Sequence, residues 1–149
     1  MKANELMIGD WVMVNDIEHT HPLQVAEIFN KCGTYYATLY WDGMPDNVNP
    51  ETLTADVDKV LPIPLTPEIL EKNGFKNGKL NVSPQYYLED NGVFIGVTLK
   101  DIPDKHKGID IAKGRLCFQL DVSRMEEPLY IHQLQHALRL AGIDKEIIL

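Results

Sequence analysis

Two histidines near the end of the chain, His132 and His136, come closest in type and spacing to a reactive site. They stand four residues apart in YIHQLQHALRLAGI (130–143), so on a helix they are neighbours on one face. An i, i+4 histidine pair can chelate zinc, and zinc proteases use this spacing. Such enzymes also need a glutamate directly after the first histidine, and here Gln133 follows, which cannot act as a base. The sequence therefore predicts neither a metal nor a catalytic histidine here.

The helix that carries these histidines is predicted from its apolar pattern. At 100° per residue, one sector collects the apolar residues Ile131, Leu134, Leu138 and Ala141. We predict that this sector is buried and that His132, His136 and Arg139 lie on the opposite, polar face. The cation of Arg139 would repel a metal ion there. These three polar residues are therefore candidates for binding a protein partner.

Other reactive arrangements are weak. The pair His19 and His21 forms a partial ligand set, but no pattern places it near the last helix. Acidic and histidine side chains in the segment 101–114 alternate with lysines and match no calcium loop; they are Asp101, Asp104, His106 and Asp110. Nucleophile and phosphate-loop motifs are missing from the sequence. We predict a non-enzymatic protein without a cofactor, and a metal-dependent hydrolase is the weakest alternative.

Length and charge narrow the class further. A chain of 149 residues with 44% hydrophobic content can form one ordinary domain or two small ones. The sequence has no apolar run of about 18 residues and no signal-peptide pattern, so we expect a cytoplasmic protein without a membrane segment. The net charge of −8 is concentrated in residues 1–62, where ten acids face three lysines. Nucleic acid binding depends on cations, so this half disfavours it.

The two cysteines, Cys32 and Cys117, are far apart and form no CxxC or zinc pattern. Both lie in strand-like surroundings. We therefore predict reduced thiols in or near the core.

The first sixty residues contain short alternating segments separated by turn residues. We predict strands within WVMVND (11–16), PLQVAEIF (22–29), TYYATLYW (34–41) and VDKVLPI (57–63). Such short strands indicate a small, strongly bent barrel. In the third segment, alternation directs Tyr36 and Tyr40 to one face and Trp41 to the other, so some aromatic residues should be exposed. Exposed aromatic residues indicate a partner surface, and the candidates are Trp11, Tyr36, Tyr40 and Trp41.

The segments IGDWVMV, PLQVAEIF and YYATLYWDG together resemble the SH3-like barrels of the KOW type. This resemblance covers about sixty residues and implies an SH3-like barrel over residues 1–62. Members that bind nucleic acid carry basic loops. The corresponding loops here are acidic, with Asp16, Glu18, Asp42 and Asp46.

A helix with clear termini is predicted within PIPLTPEILEKNGF (62–75). Thr66 can cap the first amides, and Pro67 suits the first helical position. Gly74 can end the helix in a left-handed conformation. We place the boundary between two lobes here, with the second lobe covering residues 63–149.

The second lobe is predicted as a small antiparallel sheet with a packed C-terminal helix, which makes the whole chain α+β. Strands are expected in KLNVS (79–83), PQYYLE (84–89), VFIGVTLK (93–100) and RLCFQLDV (115–122). Asn91 and Gly92 predict a tight hairpin turn, since both tolerate positive φ. The polar segment 101–114 is predicted as an exposed loop.

A cluster of basic residues keeps a nucleic-acid function as the alternative. Five cations lie within sixteen residues: Lys100, Lys105, Lys107, Lys113 and Arg115. They could neutralise phosphates, and salt-dependent binding would follow.

The segments MKANELMIGDWV, PIPLTPEILEKNGF and LYIHQLQHALRLAGIDKEI resemble a group of short, uncharacterised proteins of gut anaerobic bacteria and of their phages and mobile elements. The resemblance implies no activity and no cofactor. We therefore expect an accessory protein of a phage or mobile element, acting through a protein partner or as a homo-oligomer.

Overall fold

The computed structural model describes residues 1–15, 21–41, 52–78, 83–101, 106–121 and 127–149. Two five-stranded antiparallel sheets and a C-terminal helix dominate these residues, in agreement with the predicted α+β class. The chain divides into two units, Met1–Ile63 and Pro64–Leu149. In the described ranges, no helix is both long and apolar enough to cross a membrane.

Five strands are found among the described residues of the first unit. They are Trp11–Val14 (β1), Leu23–Lys31 (β2), Thr34–Tyr40 (β3), Thr52–Asp56 (β4) and Val60–Pro62 (β5). Their order across the sheet is β4-β3-β2-β1-β5, and no pairing among the described residues closes this sheet into a barrel. Strand β4 was not predicted, and β5 begins later than the predicted segment 57–63. The reason is a 3-10 turn at Val57–Lys59, which the Asp56 side chain caps by accepting from the amide of Asp58.

The Gly-Asp pair before β1 has a structural role. The side chain of Asp10 is fully buried, and its Oδ2 accepts a hydrogen bond from the amide of Met7 at 2.7 Å. Gly9 has φ +85°, and its amide donates to the carbonyl of Val25 at 2.6 Å. The first bond fixes the turn before β1, and the second joins this turn to β2. One face of the sheet then buries an aliphatic core, including Val12, Val14, Leu23, Val25, Ala37, Leu39 and Val60.

The prediction that both cysteines lie in or near the core is wrong. Cys32 and Cys117 are free thiols, and both are exposed. Cys32 forms the tip of the β2–β3 hairpin with Gly33, at φ +54° and +89°. The paired positive φ values are those of a type I′ turn, which projects its residues into water.

The described residues of the second unit form two α-helices and five strands. They are Pro67–Lys72 (α1), Lys76–Asn77 (β6), Tyr86–Asp90 (β7), Val93–Thr98 (β8), Gly108–Lys113 (β9), Leu116–Asp121 (β10) and Ile131–Ala141 (α2). The strand order β10-β9-β8-β7-β6 is a simple meander. Of the predicted strand at 79–83, residues 79–82 lie outside the described residues.

The predicted termini of α1 are confirmed. Thr66 Oγ1 accepts from the amide of Ile69 at 3.4 Å, and Pro67 is the first helical residue. Gly74 has φ +80° just after the last turn. Leu70 and Phe75 are buried, so this short helix is anchored on both sides of its C-terminus.

The hairpin turn at Asn91 and Gly92 is also confirmed, with φ +46° and +76°. The prediction of a loop over 101–114 is wrong, because β9 occupies Gly108–Lys113. Ile109 and Ile111 alternate with a half-buried Asp110 and are themselves buried. This alternation forms a strand in spite of the surrounding charges.

Aliphatic residues on one face of the second sheet form the core beneath α2, which contacts β9. Buried members on the sheet include Val93, Ile95, Val97, Ile109 and Ile111, and α2 contributes Leu134 and Leu138. The segment after α2 is held as well, since Ile143 and Ile147 are buried. The buried side chain of Asn73 bonds to the backbone of Ile148 and so fixes this last segment beside α1.

Tyr86, in β7, predicts a loss of stability at alkaline pH. Burial raises the pKa of its phenol, and the carboxylates of Glu71 and Glu68 raise this pKa further. The folded state therefore favours the neutral phenol of Tyr86. The contribution of this preference to the free energy of unfolding is complete below the pKa of an unfolded tyrosine, about 10, and is lost as pH rises through the higher folded value.

We expect the free energy of unfolding to fall more steeply above about pH 10 in the wild type than in Tyr86→Phe, which cannot ionise. Urea unfolding at a series of pH values measures this difference. Tyr35→Phe, altered at an exposed tyrosine, is the control and should follow the wild type. Equal slopes in all three proteins would contradict the prediction.

Candidate interaction surface

The outer side of the first sheet carries the main candidate site, which we call the aromatic face: Trp11, Phe29, Tyr36 and Tyr40. Directly paired residues of neighbouring strands point to the same side of a sheet. Gln24 of β2 pairs with Trp11 of β1 and with Tyr40 of β3, so these three residues share one face. Phe29 pairs with Tyr36 on the same side. All four aromatic side chains are half-buried, so each leaves part of its ring accessible.

Side-chain contacts hold the aromatic face in place. Tyr40 donates its hydroxyl proton to Gln24 Oε1, and Gln24 is only 6% exposed. The rings of Phe29 and Tyr36 stack with centroids 5.6 Å apart and planes 21° apart. Buried polar partners and ring stacking limit the rotamers of these residues. The aromatic face is therefore an ordered surface.

Phe29 was not among the sequence candidates, and a β-bulge explains why. The pairing register of β2 and β3 shifts between Val25 and Glu27. This extra residue places Ile28 on the core side and Phe29 on the outer side. Strict alternation from Val25 would have put Phe29 in the core. No sequence signal marks the bulge, because Ala26 and Glu27 are compatible with an ordinary strand.

Trp41 does not belong to the aromatic face. Its ring lies 4.5 Å from that of His21 by centroid and packs against the hydrophobic core. This agrees with the alternation in TYYATLYW, which separates Trp41 from Tyr36 and Tyr40. His19, the other member of the predicted histidine pair, lies outside the described residues, as do the acidic loop residues Asp16, Glu18, Asp42 and Asp46.

Charges on the aromatic face are mixed but mostly acidic. Glu27 Oε2 accepts from Thr38 Oγ1 at 3.3 Å, and both groups are near the surface. Tyr36 pairs across to the half-buried Asp56 of β4. Lys31 lies at the far end of β2. The aromatic face therefore has carboxylates next to exposed rings.

The prediction that both histidines of α2 face water is wrong for His132. Its side chain is buried at 6% exposure, whereas His136 is half-buried and Arg139 is exposed. Ile131, Leu134, Leu138 and Ala141 are buried as predicted, but His132 and Gln135 extend the buried arc. At 100° per residue the buried side chains span about 220° of the helix.

The rings around His132 form a short stack along α2. Tyr130 and His132 lie 5.8 Å apart by centroid with planes 15° apart, and His132 meets His136 edge-on at 5.7 Å. Burial, with the carboxylate of Glu127, raises the pKa of Tyr130. The described residues contain no group of three or more His, Cys, Asp or Glu placed to hold a metal ion. Three planar rings are thus in contact along α2.

The basic residues that the structure describes are not gathered into one patch. Lys107 is only 8% exposed, and its Nζ donates to the carbonyl of Glu127 at 2.6 Å. Lys113 is at the opposite end of β9, about 20 Å away at the rise of a strand. Arg115 is beside Lys113, and Lys100 follows β8. Lys105 lies outside the described residues.

The carboxylate of Asp101 contacts the residues that directly precede β9. Asp101 Oδ1 accepts from the amide of Lys107 at 2.7 Å, and His106 Nδ1 is 3.7 Å from the same oxygen. Both side chains are well exposed. Asp101 therefore has a structural role beside the start of β9.

A pocket of about 270 Å³ opens beside β4 in the first unit. Its lining includes Val14, Asn15, Leu53 and Lys59, together with Asp56. The Asp56 carboxylate already caps the 3-10 turn. Binding pockets for small molecules are usually larger and mostly apolar. The pocket does not compete with the aromatic face as a candidate site.

Comparisons with protein families, with curated proteins and with solved structures find no match for this chain.

Proposed function

We propose that this chain is a non-enzymatic interaction protein, an accessory factor of a phage or mobile element, and that it binds a protein partner through the aromatic face. The observation that carries the proposal is the row of half-exposed Trp11, Tyr40 and Tyr36 rings on one side of the first sheet. The resemblance of its sequence to short proteins of phages and mobile elements supports the accessory role.

The chemistry of the face supports binding to protein. Tyrosine and tryptophan contribute large contact areas at low entropic cost, and they are enriched at the centres of interfaces. Tyr40 is held by Gln24 and Tyr36 is stacked on Phe29. Side chains that are ordered before binding lose less entropy when the partner arrives. The aromatic face therefore has the properties of an interaction hot spot.

Charge supports a basic partner surface. Glu27 and Asp56 lie on the aromatic face, and residues 1–62 carry an excess of seven negative charges. Complementary charge increases the association rate and makes it fall with added salt. We infer a partner that presents apolar groups among lysines or arginines.

An SH3-like barrel belongs to the same proposal. The strand order of the first unit, with β1 between β2 and β5, and the 3-10 turn before β5 support it. SH3 domains bind extended proline-rich peptides along aromatic-lined grooves. This analogy concerns the fold, and the function rests on the aromatic face itself.

The test is capture from the native host, followed by reconstitution with the purified partner. We expect the wild type and Tyr35→Ala to capture the same protein, because Tyr35 is exposed on the other side of β3. Trp11→Ala and Tyr40→Ala should weaken binding at least tenfold by calorimetry, since loss of a hot-spot side chain costs about 2 kcal/mol. Circular dichroism checks that each variant is folded.

Equal affinity of Tyr40→Ala, Trp11→Ala and the wild type would overturn the proposal. So would a salt-dependent shift with duplex DNA or single-stranded RNA that Lys113→Glu and Arg115→Glu abolish, since this result would favour nucleic acid.

A further inference from the structure

Strand β10 leaves part of the core face of the second sheet uncovered. Phe118 pairs with Ile111 and Leu116 pairs with Lys113, so both point to the side on which Ile109 and Ile111 are buried. Ile111 is 5% exposed, whereas Phe118 is 58% and Leu116 is 62% exposed. The apolar surface of the core therefore continues to the edge of the sheet and meets water there.

Within the part of the chain that the structure describes, no strand pairs with the outer edge of β10, and the sequence of β10 lacks the usual protection against pairing. Natural edge strands are kept apart by proline, by bulges, by lysines or by short length. The β10 sequence LCFQLD contains no proline or lysine, and its six residues pair with β9 without a register shift. At the other edge of the same sheet, β6 has only two residues. The contrast indicates that β10 is built to be paired.

The turn determines which main-chain groups are open. Gly114 and Arg115 form a two-residue turn, so Lys113 and Leu116 are the closing hydrogen-bonded pair. Along β10, Leu116 and Phe118 then direct their main-chain groups to β9. Cys117 and Gln119 direct theirs to the open edge.

We infer that a second copy of this chain pairs antiparallel with β10 across a two-fold axis at Phe118, joining the two sheets into one of ten strands. In this register Cys117 faces Gln119 of the second copy, so the open main-chain groups exchange hydrogen bonds. Phe118 faces Phe118 of the second copy at the closest type of cross-strand position. The two uncovered apolar strips thereby become one.

Charge complementarity selects a second copy as the occupant and fixes the register. With Phe118 on the axis, position 115, which is basic, falls in register with position 121 of the second copy, which is acidic, and the symmetry repeats this match at the other end. With the axis moved to Gln119, position 121 pairs with Cys117 and the match between positions 115 and 121 is lost. With the axis moved to Cys117, only three residues of each β10 strand are in contact. The self-complementary register is therefore specific to this centre.

The test is the mass of the full chain in solution by sedimentation equilibrium. We expect a dimer of twice the 16.9 kDa monomer with a dissociation constant on the order of 10 µM, as for a small interface. Phe118→Asp should weaken it at least tenfold. Leu140→Asp, changed at a 72% exposed leucine of α2, is the matched control and should leave it unchanged.

Charge exchange tests the register without disturbing the apolar strip. Arg115→Glu and Asp121→Arg should each weaken self-association, because each puts two like-charged pairs opposite one another. Mixing the two variant proteins should restore a dimer, since every pair is then complementary. Circular dichroism confirms that each variant is folded.

A wild-type protein that is still monomeric at a protein concentration about tenfold above the expected dissociation constant would overturn the inference. A dimer that is unaffected by Phe118→Asp, or a mixture of the charge variants that does not associate more tightly than either alone, would also overturn it. None of these outcomes depends on the aromatic face, so this inference and the proposed function fail independently.

Discussion

Gly96→Ala is expected to destabilise the protein by about 3 kcal/mol, because the added methyl group has no space. A Cβ on Gly96 would lie 2.8 and 2.9 Å from the Cβ and Cγ of Pro84, and 3.2 Å from Phe94 Cε1. The pyrrolidine ring cannot rotate away. Strand β8 cannot move either, because Gly96 pairs with Tyr87 on one side and Asp110 on the other. The gain from a stiffer unfolded chain is below about 1 kcal/mol, so the clash decides the sign.

Urea unfolding followed by circular dichroism measures this loss. Gly114→Ala is the matched control, since a Cβ there meets no atom within 4 Å and only the positive φ of 61° opposes it. We expect a loss of about 1 kcal/mol for this control. A Gly96→Ala protein as stable as Gly114→Ala would show that Pro84 yields, contrary to the prediction.

Asn73→Ala should cost about 3 kcal/mol, since it removes a buried amide that makes three hydrogen bonds. Asn73 is 1% exposed. Its Nδ2 donates to the carbonyls of Ile69 and Ile148, both at 2.8 Å, and its Oδ1 accepts from the amide of Ile148 at 2.9 Å. Alanine would leave the Ile148 main chain without these partners and open a small cavity.

Two measurements check the result at Asn73. The unfolding midpoint should fall, and hydrogen exchange at the Ile148 amide should become fast, because the segment after α2 loses its tie to α1. Asn77→Ala, at an exposed position of β6, is the control and should lie within about 0.5 kcal/mol of the wild type. Retained protection of Ile148 in Asn73→Ala would contradict this account.

Features set by adjacent residues could be predicted from the sequence. The cap at Thr66, the stop at Gly74 and the turn at Asn91 and Gly92 depend on the local chemistry of one or two residues. Strand β10 was expected within 115–122 and occupies 116–121. The separation of Trp41 from Tyr36 also followed from alternation alone, because β3 is regular.

Features that depend on distant packing could not be predicted. His132 was assigned to water because a helical wheel ranks residues by type, yet α2 is covered over more than half of its circumference. The charges around Ile109 and Ile111 concealed β9, whose stability comes from β8 and β10 on either side. Cys32 was placed near the core because its neighbours are strand-like, whereas the hairpin geometry exposes it.

For the candidate site, the sequence identified the aromatic residues but not the set that shares a face. Trp11 and Tyr40 come together only because Gln24 pairs with both. Five cations close in sequence suggested a patch, but a strand separates Lys107 from Lys113. Proximity along a chain is a poor guide to proximity on a sheet, since a strand of six residues extends about 20 Å.

The extra residue at Ala26 determines how this surface responds to changes in chain length during evolution. A one-codon deletion there would restore regular pairing of β2 with β3 and would keep Ile28 on the core side and Phe29 on the outer side, because alternation from Val25 then runs through Glu27. The loss of a residue elsewhere in β2 would instead turn every residue on one flank to the opposite side of the sheet. Ala26 is therefore the position at which this strand can be shortened while its recognition surface is preserved.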